Sequence, residues 1–275
     1  MIMSTNQCAT PASPVLAGEF GVFVQQALVK TDWHSLNPPE GLQVIKGVEQ
    51  MRRAGHRLLF VRWQGEALVL KFYADYGDNR TGRRLEFLLK NALTNYAFRS
   101  YLGASYLVNA GVPAIQPVDY LNAGPWWARR GVFVYKEVEA EQTLGEWFTA
   151  NPEDPRRTSV FMHVASIINR LRQARVIQPD MVKSNILTSD DGFRVHMTLI
   201  DTDDVRKLPL WWPNAAFMLV FLWSLRRMRV PEALRDAFFS ACMGGQASPS
   251  QYRFWRFIQD NNFKPWKRLL KRRAA

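Results

Sequence analysis

Apolar residues in this chain gather first in short strand-like runs and later at helical spacing. Two β-like runs, Arg57 to Trp63 and Glu66 to Tyr73, flank Gln64-Gly65, which predicts a hairpin whose second strand is interrupted by one charged side chain, Lys71. Gly131 to Glu139 reads as another strand, and a helix begins within Gln142–Trp147. From Val160 to Ala174 the apolar positions Val160, Phe161, Val164, Ile167, Ile168 and Leu171 recur at the helical period. A second pair of strands follows, starting at Ile186-Leu187 and returning from Val195 to Ile200, with turn chemistry at Ser189-Asp190-Asp191-Gly192. Ala215 to Trp223 is wholly apolar, but about ten such residues before Arg226 are too few to span a bilayer, so a buried helix is expected there. The pattern is helical again from Pro231 onward, and a short helix, Phe20 to Lys30, lies between prolines near the start.

These elements divide the chain into a lead over 1–40, a strand-rich lobe over 41–137 and a helix-rich lobe over 138–275. A length of 275 residues, 47% hydrophobic and 22% charged, is enough for one two-lobed unit with a sizeable core.

The chemistry concentrates where the second pair of strands begins. Asp180 is followed five positions later by Asn185, and Asp201 stands just beyond the returning strand. In kinase-type phosphoryl transfer one Asp orients the attacking hydroxyl and accepts its proton. An Asn five residues on binds Mg²⁺, and a second Asp beyond a short hairpin bridges Mg²⁺ to the phosphates. Asp180, Asn185 and Asp201 fill those places. Kinases also keep a strand lysine on the α- and β-phosphates, the place taken here by Lys71, and the strand ending near Glu137 and Val138 corresponds to the hinge whose backbone hydrogen-bonds adenine. Taken singly, Asp180 and Asn185 are ordinary turn residues and Lys71 an ordinary snorkelling lysine. Their joint occurrence, in this order, carries the reading.

The chain resembles the bacterial lipopolysaccharide-core kinases, the Kdo and heptose kinase group of the protein-kinase-like superfamily, over about Val44 to Asp204. Besides the residues above, Ala97-Phe98-Arg99-Ser100-Tyr101 and Asn109-Ala110-Gly111-Val112-Pro113-Ala114 resemble the helix and the Ala-Gly-Val-Pro turn of those sugar kinases. The resemblance implies an α+β, two-lobed protein-kinase-like fold, with a small antiparallel sheet lobe, a helical C-terminal lobe, and ATP and Mg²⁺ as cofactors. It also implies transfer of phosphate to a heptose or Kdo hydroxyl of the inner core. The family pattern is altered at several places. Gln178 stands where His precedes the catalytic Asp, and Ser100 where a helix Glu would pair with Lys71, with Glu86 the nearest acidic substitute. Val182 replaces a lysine, Asp201-Thr202-Asp203 replaces Asp-Phe-Gly, and Met51–His56 is the only candidate phosphate cover because no G-x-G-x-x-G precedes Lys71.

Charge narrows the partners. A net charge of +12 calls for an acidic surface. Two basic clusters stand out, Arg80–Arg84 and Lys264–Arg273, and the second interleaves Trp and Leu with its cations, as interfacial helices on anionic membrane do. With no RNA- or DNA-binding motif, nucleic acid is not expected; the expected partners are the core glycolipid and the anionic membrane surface. Met1 to Gly18 is polar and carries no signal-like run, so a cytoplasmic protein on the inner face of the inner membrane is expected. Two cysteines, Cys8 and Cys242, support neither a disulfide framework nor a zinc site, and His34, His56, His163 and His196 lack metal-ligand spacing. Two alternatives stay open: a pseudokinase or scaffold in glycolipid assembly, and a small-molecule kinase of the aminoglycoside or choline type.

Overall fold

The structure, a computed structural model, is described for residues 14–29, 36–50, 56–73, 95–123 and 130–260. Glu86, the Arg80–Arg84 cluster, the stretch 51–55, Cys8, His34 and the C-terminal basic stretch lie outside the described residues. Those described form two compact units. One comprises the chain up to Tyr101 together with Gln116–Glu137; the other comprises Leu102–Ile115 and the chain from Val138.

The first unit holds α1 (Gly18–Val29), β1 (Leu42–Gln50), β2 (His56–Trp63), β3 (Glu66–Tyr73), the start of α2 (Tyr96–Asn109), β4 (Pro117–Ala123) and β5 (Arg130–Lys136). The strands make one antiparallel sheet in the order β1-β2-β3-β5-β4. At the β2–β3 turn Trp63 is paired with Glu66, and Gln64 and Gly65 both take positive φ (50° and 86°), the primed turn that matches strand twist. Side chains alternate across β3. Leu68, Leu70 and Phe72 join Phe20, Val24 and Leu28 of α1 in one buried cluster. Val69, Lys71 and Tyr73 therefore take the opposite face, where the first turns of α2 bring Tyr96 to stack on Tyr73 at 6.1 Å.

The second unit continues with β6 (Gln142–Thr143), α3 (Leu144–Ala150), α4 (Arg157–Gln173), β7 (Val176–Ile177), β8 (Ile186–Asp190), β9 (Val195–Leu199), β10 (Arg206–Lys207), α5 (Asn214–Ser224), α6 (Arg235–Cys242) and α7 (Pro249–Asp260). All six apolar positions expected on the inner face of α4 are buried, against a core that includes Trp147, Phe238, Phe239 and Trp255. Thr143 and Glu146 cap α3 reciprocally. Cys242 is buried in this core, which pushes its thiol well above the ordinary range and leaves it unreactive. The turn between β8 and β9 falls at Asp191–Arg194, two residues later than the sequence suggests. Asp191 Oδ1 accepts the N–H groups of Phe193 (2.8 Å) and Arg194 (2.7 Å), and Gly192 supplies the positive φ. The apolar run at α5 is only half buried: Phe217, Phe221 and Leu222 enter the core while Leu219 and Val220 face outward.

Asp190, at the end of β8, ties the hairpin to the helices. Its Oδ2 accepts the indole N–H of buried Trp147 at 3.0 Å, and both oxygens accept from Arg156 (2.8 and 2.9 Å), which also binds Asp154. Arg156, then Trp147, hold the Asp190 carboxyl well below the usual carboxylate range. A lowered folded-state pKa stabilises the protein fully above the unfolded value of about 4, and the contribution is lost as pH falls through the folded value. Unfolding free energies of wild type and Asp190→Asn from urea titrations should therefore differ by about 1–3 kcal/mol at pH 7, and the difference should shrink steadily as pH falls below about 4; an unchanged difference at acid pH would show that the carboxylate's charge is not what stabilises.

Candidate active site

Three consecutive local structures build the site within the second unit. After α4, Arg175 adopts a positive φ (55°) and turns the chain into β7, which pairs with β10 and delivers Gln178, Pro179 and Asp180. A single 3₁₀ turn over Lys183–Asn185 follows, closed by Asn185 N–H to Val182 O at 3.0 Å. The β8–β9 hairpin then pairs Ile186 with Leu199, and Ile200 N–H donates to Asn185 O at 3.1 Å, so Asn185 and Asp201 are neighbours across the open end of the hairpin.

The side chains meet there. Asn185 Nδ2 donates to the backbone carbonyl of Asp180 at 3.0 Å and lies 3.4 Å from Asp201 Oδ2. With the amide nitrogen turned to these oxygens, Asn185 Oδ1 and the Asp201 carboxylate form a hard-oxygen pair suited to Mg²⁺. Among the described residues no cluster of three His, Cys, Asp or Glu side chains forms a metal cage, so such a cation would take its remaining ligands from phosphate and water.

Gln178, where the resemblance leads one to expect histidine, is buried and donates from Nε2 to the carbonyl oxygen of Asp201. The side chain thus holds the loop that begins at Asp201. The half-buried ammonium of Lys183, next to Val182, lies over the rings of Phe148 (4.7 Å) and Phe161 (4.9 Å), and burial, then Arg157, lowers its pKa. Asp180 is ion-paired with Arg227, and Arg226 reaches Pro179 O at 3.5 Å. Both arginines follow α5, where the sequence marks only the end of an apolar run.

Sequence reasoning also missed how the loop after β9 is held. The Ala-Gly-Val-Pro turn after α2 backs β9: Leu199 N–H donates to Pro113 O (2.9 Å) and Ile115 N–H to Leu199 O (3.0 Å). Within α2, Gly103 lies so close to the loop after β9 that a Cβ would stand 2.2 Å from Thr202 O. Gly103→Ala is expected to displace the loop after Asp201 and to cost about 1–3 kcal/mol in stability. A urea titration with an Mg²⁺-nucleotide thermal shift would detect both effects, and wild-type values in both would exclude this role for Gly103. The signal in the sequence was a glycine inside a helical pattern.

The other expected site residues belong to the first unit or its edge. Lys71 lies on β3 opposite Phe133 of β5, with its ammonium 5.2 Å from the Tyr73 ring centre. Ser100, at the position where the resemblance implies a helix carboxylate, is fully buried. Its hydroxyl proton goes to Tyr96 O (2.8 Å), so Tyr73 donates to Ser100 Oγ (2.7 Å). Position 100 thus reaches the lysine's strand through a neutral hydrogen bond and an aromatic ring. Glu137 N–H is committed to Ala67 O at 2.9 Å, which leaves the Glu137 carbonyl and the Val138 backbone as the polar groups of this stretch.

No family model and no curated protein matches the chain. Among solved structures, that of WaaP in complex with acyl carrier protein is similar to it with a TM-score of 0.55 and 15% identity, covering 82% of this chain and 91% of that one. At that identity the likeness is one of fold. Together with the antiparallel five-stranded sheet and the separate helical unit, it establishes that the chain has the α+β, two-lobed protein-kinase-like fold.

Proposed function

We propose that the protein is an ATP-dependent kinase that phosphorylates a heptose or Kdo hydroxyl of the lipopolysaccharide inner core at the cytoplasmic face of the inner membrane. The observation that carries this reading is the convergence of Asp180, Asn185 and Asp201 at one hairpin end, with Asn185 bonded to the Asp180 backbone. Asp180 orients the acceptor hydroxyl and takes its proton as the oxygen bonds to the γ-phosphorus and the bond to the ADP oxygen breaks. Asn185 and Asp201 would hold Mg²⁺, which would supply positive charge to the phosphate oxygens. Lys71 steadies the α- and β-phosphates, and the Glu137 carbonyl and Val138 backbone receive adenine. In this reading 1–40 is a lead, 41–137 the nucleotide-holding lobe and 138–275 the catalytic lobe.

One observation favours a second reading, a pseudokinase that binds nucleotide while assisting glycolipid assembly: position 100 carries a serine bonded to Tyr73 in place of a carboxylate. Mg²⁺-dependent stabilisation by ATP, measured with phosphate transfer to core lipopolysaccharide, separates the two. Transfer by wild type supports the kinase; nucleotide binding with no transfer to any core acceptor would overturn it in favour of the pseudokinase.

A further inference from the structure

The outward side of α5 has an unusual composition for a surface in water. From Ala215 to Trp223 the helix has no polar residue on any side, yet only part of it reaches the core. Leu219 is 55% exposed and Val220 43%. A helix on a globular surface ordinarily turns a polar stripe outward.

The turn before the helix repeats the anomaly. Trp212 N–H donates to Pro209 O at 3.2 Å, closing a tight turn whose two corner residues are Leu210 and Trp211, 87% and 79% exposed. Turn corners normally carry Pro, Gly, Asn or Asp. The projection is held in place: Arg175 bonds Trp212 O (2.9 Å) and Asn214 Oδ1 (2.7 Å) and stacks on Phe217 at 4.8 Å, fixing the turn to the start of α5. Cations border the apolar surface in sequence on both sides, with exposed Arg206 and Lys207 before it and exposed Arg227 and Arg229 after it. Two of these have acidic partners, Asp204 for Arg206 and Asp180 for Arg227.

We infer that the Leu210–Trp211 turn and the outward stripe of α5 dock into the interface of an anionic bilayer, with the apolar side chains at the headgroup–acyl boundary and the flanking Lys and Arg on lipid phosphates. Apolar side chains beside cations on a structured element are what such an interface binds. A second copy of the chain is disfavoured as the occupant because an isologous contact would bring these cations against themselves in a protein of net charge +12. No described helix is long and apolar enough to cross a membrane, so the contact is one of docking. The surface stands on its own observations; its use in catalysis rests on the kinase reading, in which the Asp180 loop, paired with the segment after α5, would meet a membrane-anchored acceptor.

Co-sedimentation of the full chain with phosphatidylcholine vesicles, with and without about 30% phosphatidylglycerol, tests this. Wild type should bind the anionic vesicles, less so at high salt. Leu210→Ser with Trp211→Ser, and separately Leu219→Gln with Val220→Gln, should each weaken binding about tenfold or more without lowering Tm. The inference is overturned by absence of wild-type binding, or by equal binding of both double variants. Loss of binding only on charge reversal at Lys267 and Arg268, or a wild-type dimer that the variants convert to monomer, would overturn it too. Phosphate transfer to delipidated, soluble core should be unchanged in the variants. A wild type that docks but phosphorylates no core acceptor would remove the kinase reading and leave the docking surface intact.

Discussion

Replacing Asp180 by Ala is expected to lower phosphate transfer by about 10²–10⁴-fold, roughly 3–5 kcal/mol of transition-state stabilisation, while leaving Mg²⁺-nucleotide binding near wild type. The local structure favours a clean result. The Asp180 side chain is 38% exposed and paired with Arg227, whereas Asn185 is held by the Asp180 backbone carbonyl, which alanine retains. Asn185 and Asp201 should therefore keep their places. Retention of full turnover would exclude Asp180 as the group that orients the hydroxyl. Asp180→Asn refines the test, because it keeps the shape of the side chain and removes only its ability to accept a proton. If Asn restores transfer, Asp180 acts by positioning alone.

Replacing Asp201 by Ala should act on a different quantity. The variant keeps the backbone carbonyl that Gln178 binds but loses the carboxylate beside Asn185, leaving one hard oxygen where two are needed. A ligand at about a hundred times its Kd stabilises a protein by about 2.7 kcal/mol, which for a chain of this size raises Tm by roughly 5–10 °C. That Mg²⁺-dependent rise should disappear in Asp201→Ala and persist in Asp180→Ala. An Asp201→Ala protein that still shows the full rise would place the metal elsewhere. The pair of variants thus divides binding from chemistry, and opposite outcomes for the two would invert the roles assigned here.

Much of the frame was legible because its signals are local. Gln64-Gly65 between two apolar runs specified the β2–β3 hairpin, since positive φ at both turn residues matches strand twist. Six apolar residues at helical spacing specified the buried face of α4, since the period of the helix fixes which side chains share a side. The spacing of Asp180, Asn185 and Asp201 around a short hairpin brought them within bonding reach for the same reason: a 3₁₀ turn and one strand pair leave little freedom in between.

Other features had no local signal. Ser100 resembles a gap in the pattern; only the packing of α2 on β3 shows it bonded to Tyr73 beside Lys71. Gln178 resembles a lost histidine until its amide is found on Asp201 O.

The sequence by itself determined the order of the chemistry-bearing residues, the turns that connect them, the inward face of α4 and the excess of positive charge. Each depends on residue type and on neighbours within a few positions, where covalent geometry leaves few choices. Only the tertiary structure decided that Arg227 faces Asp180, 47 positions away, that Gly103 rests against Thr202, and that the apolar run of α5 keeps one side out of the core. Those outcomes are set by how whole elements pack, because a side chain's distant neighbours are chosen by the shape of the assembled core and not by the residues next to it in the chain.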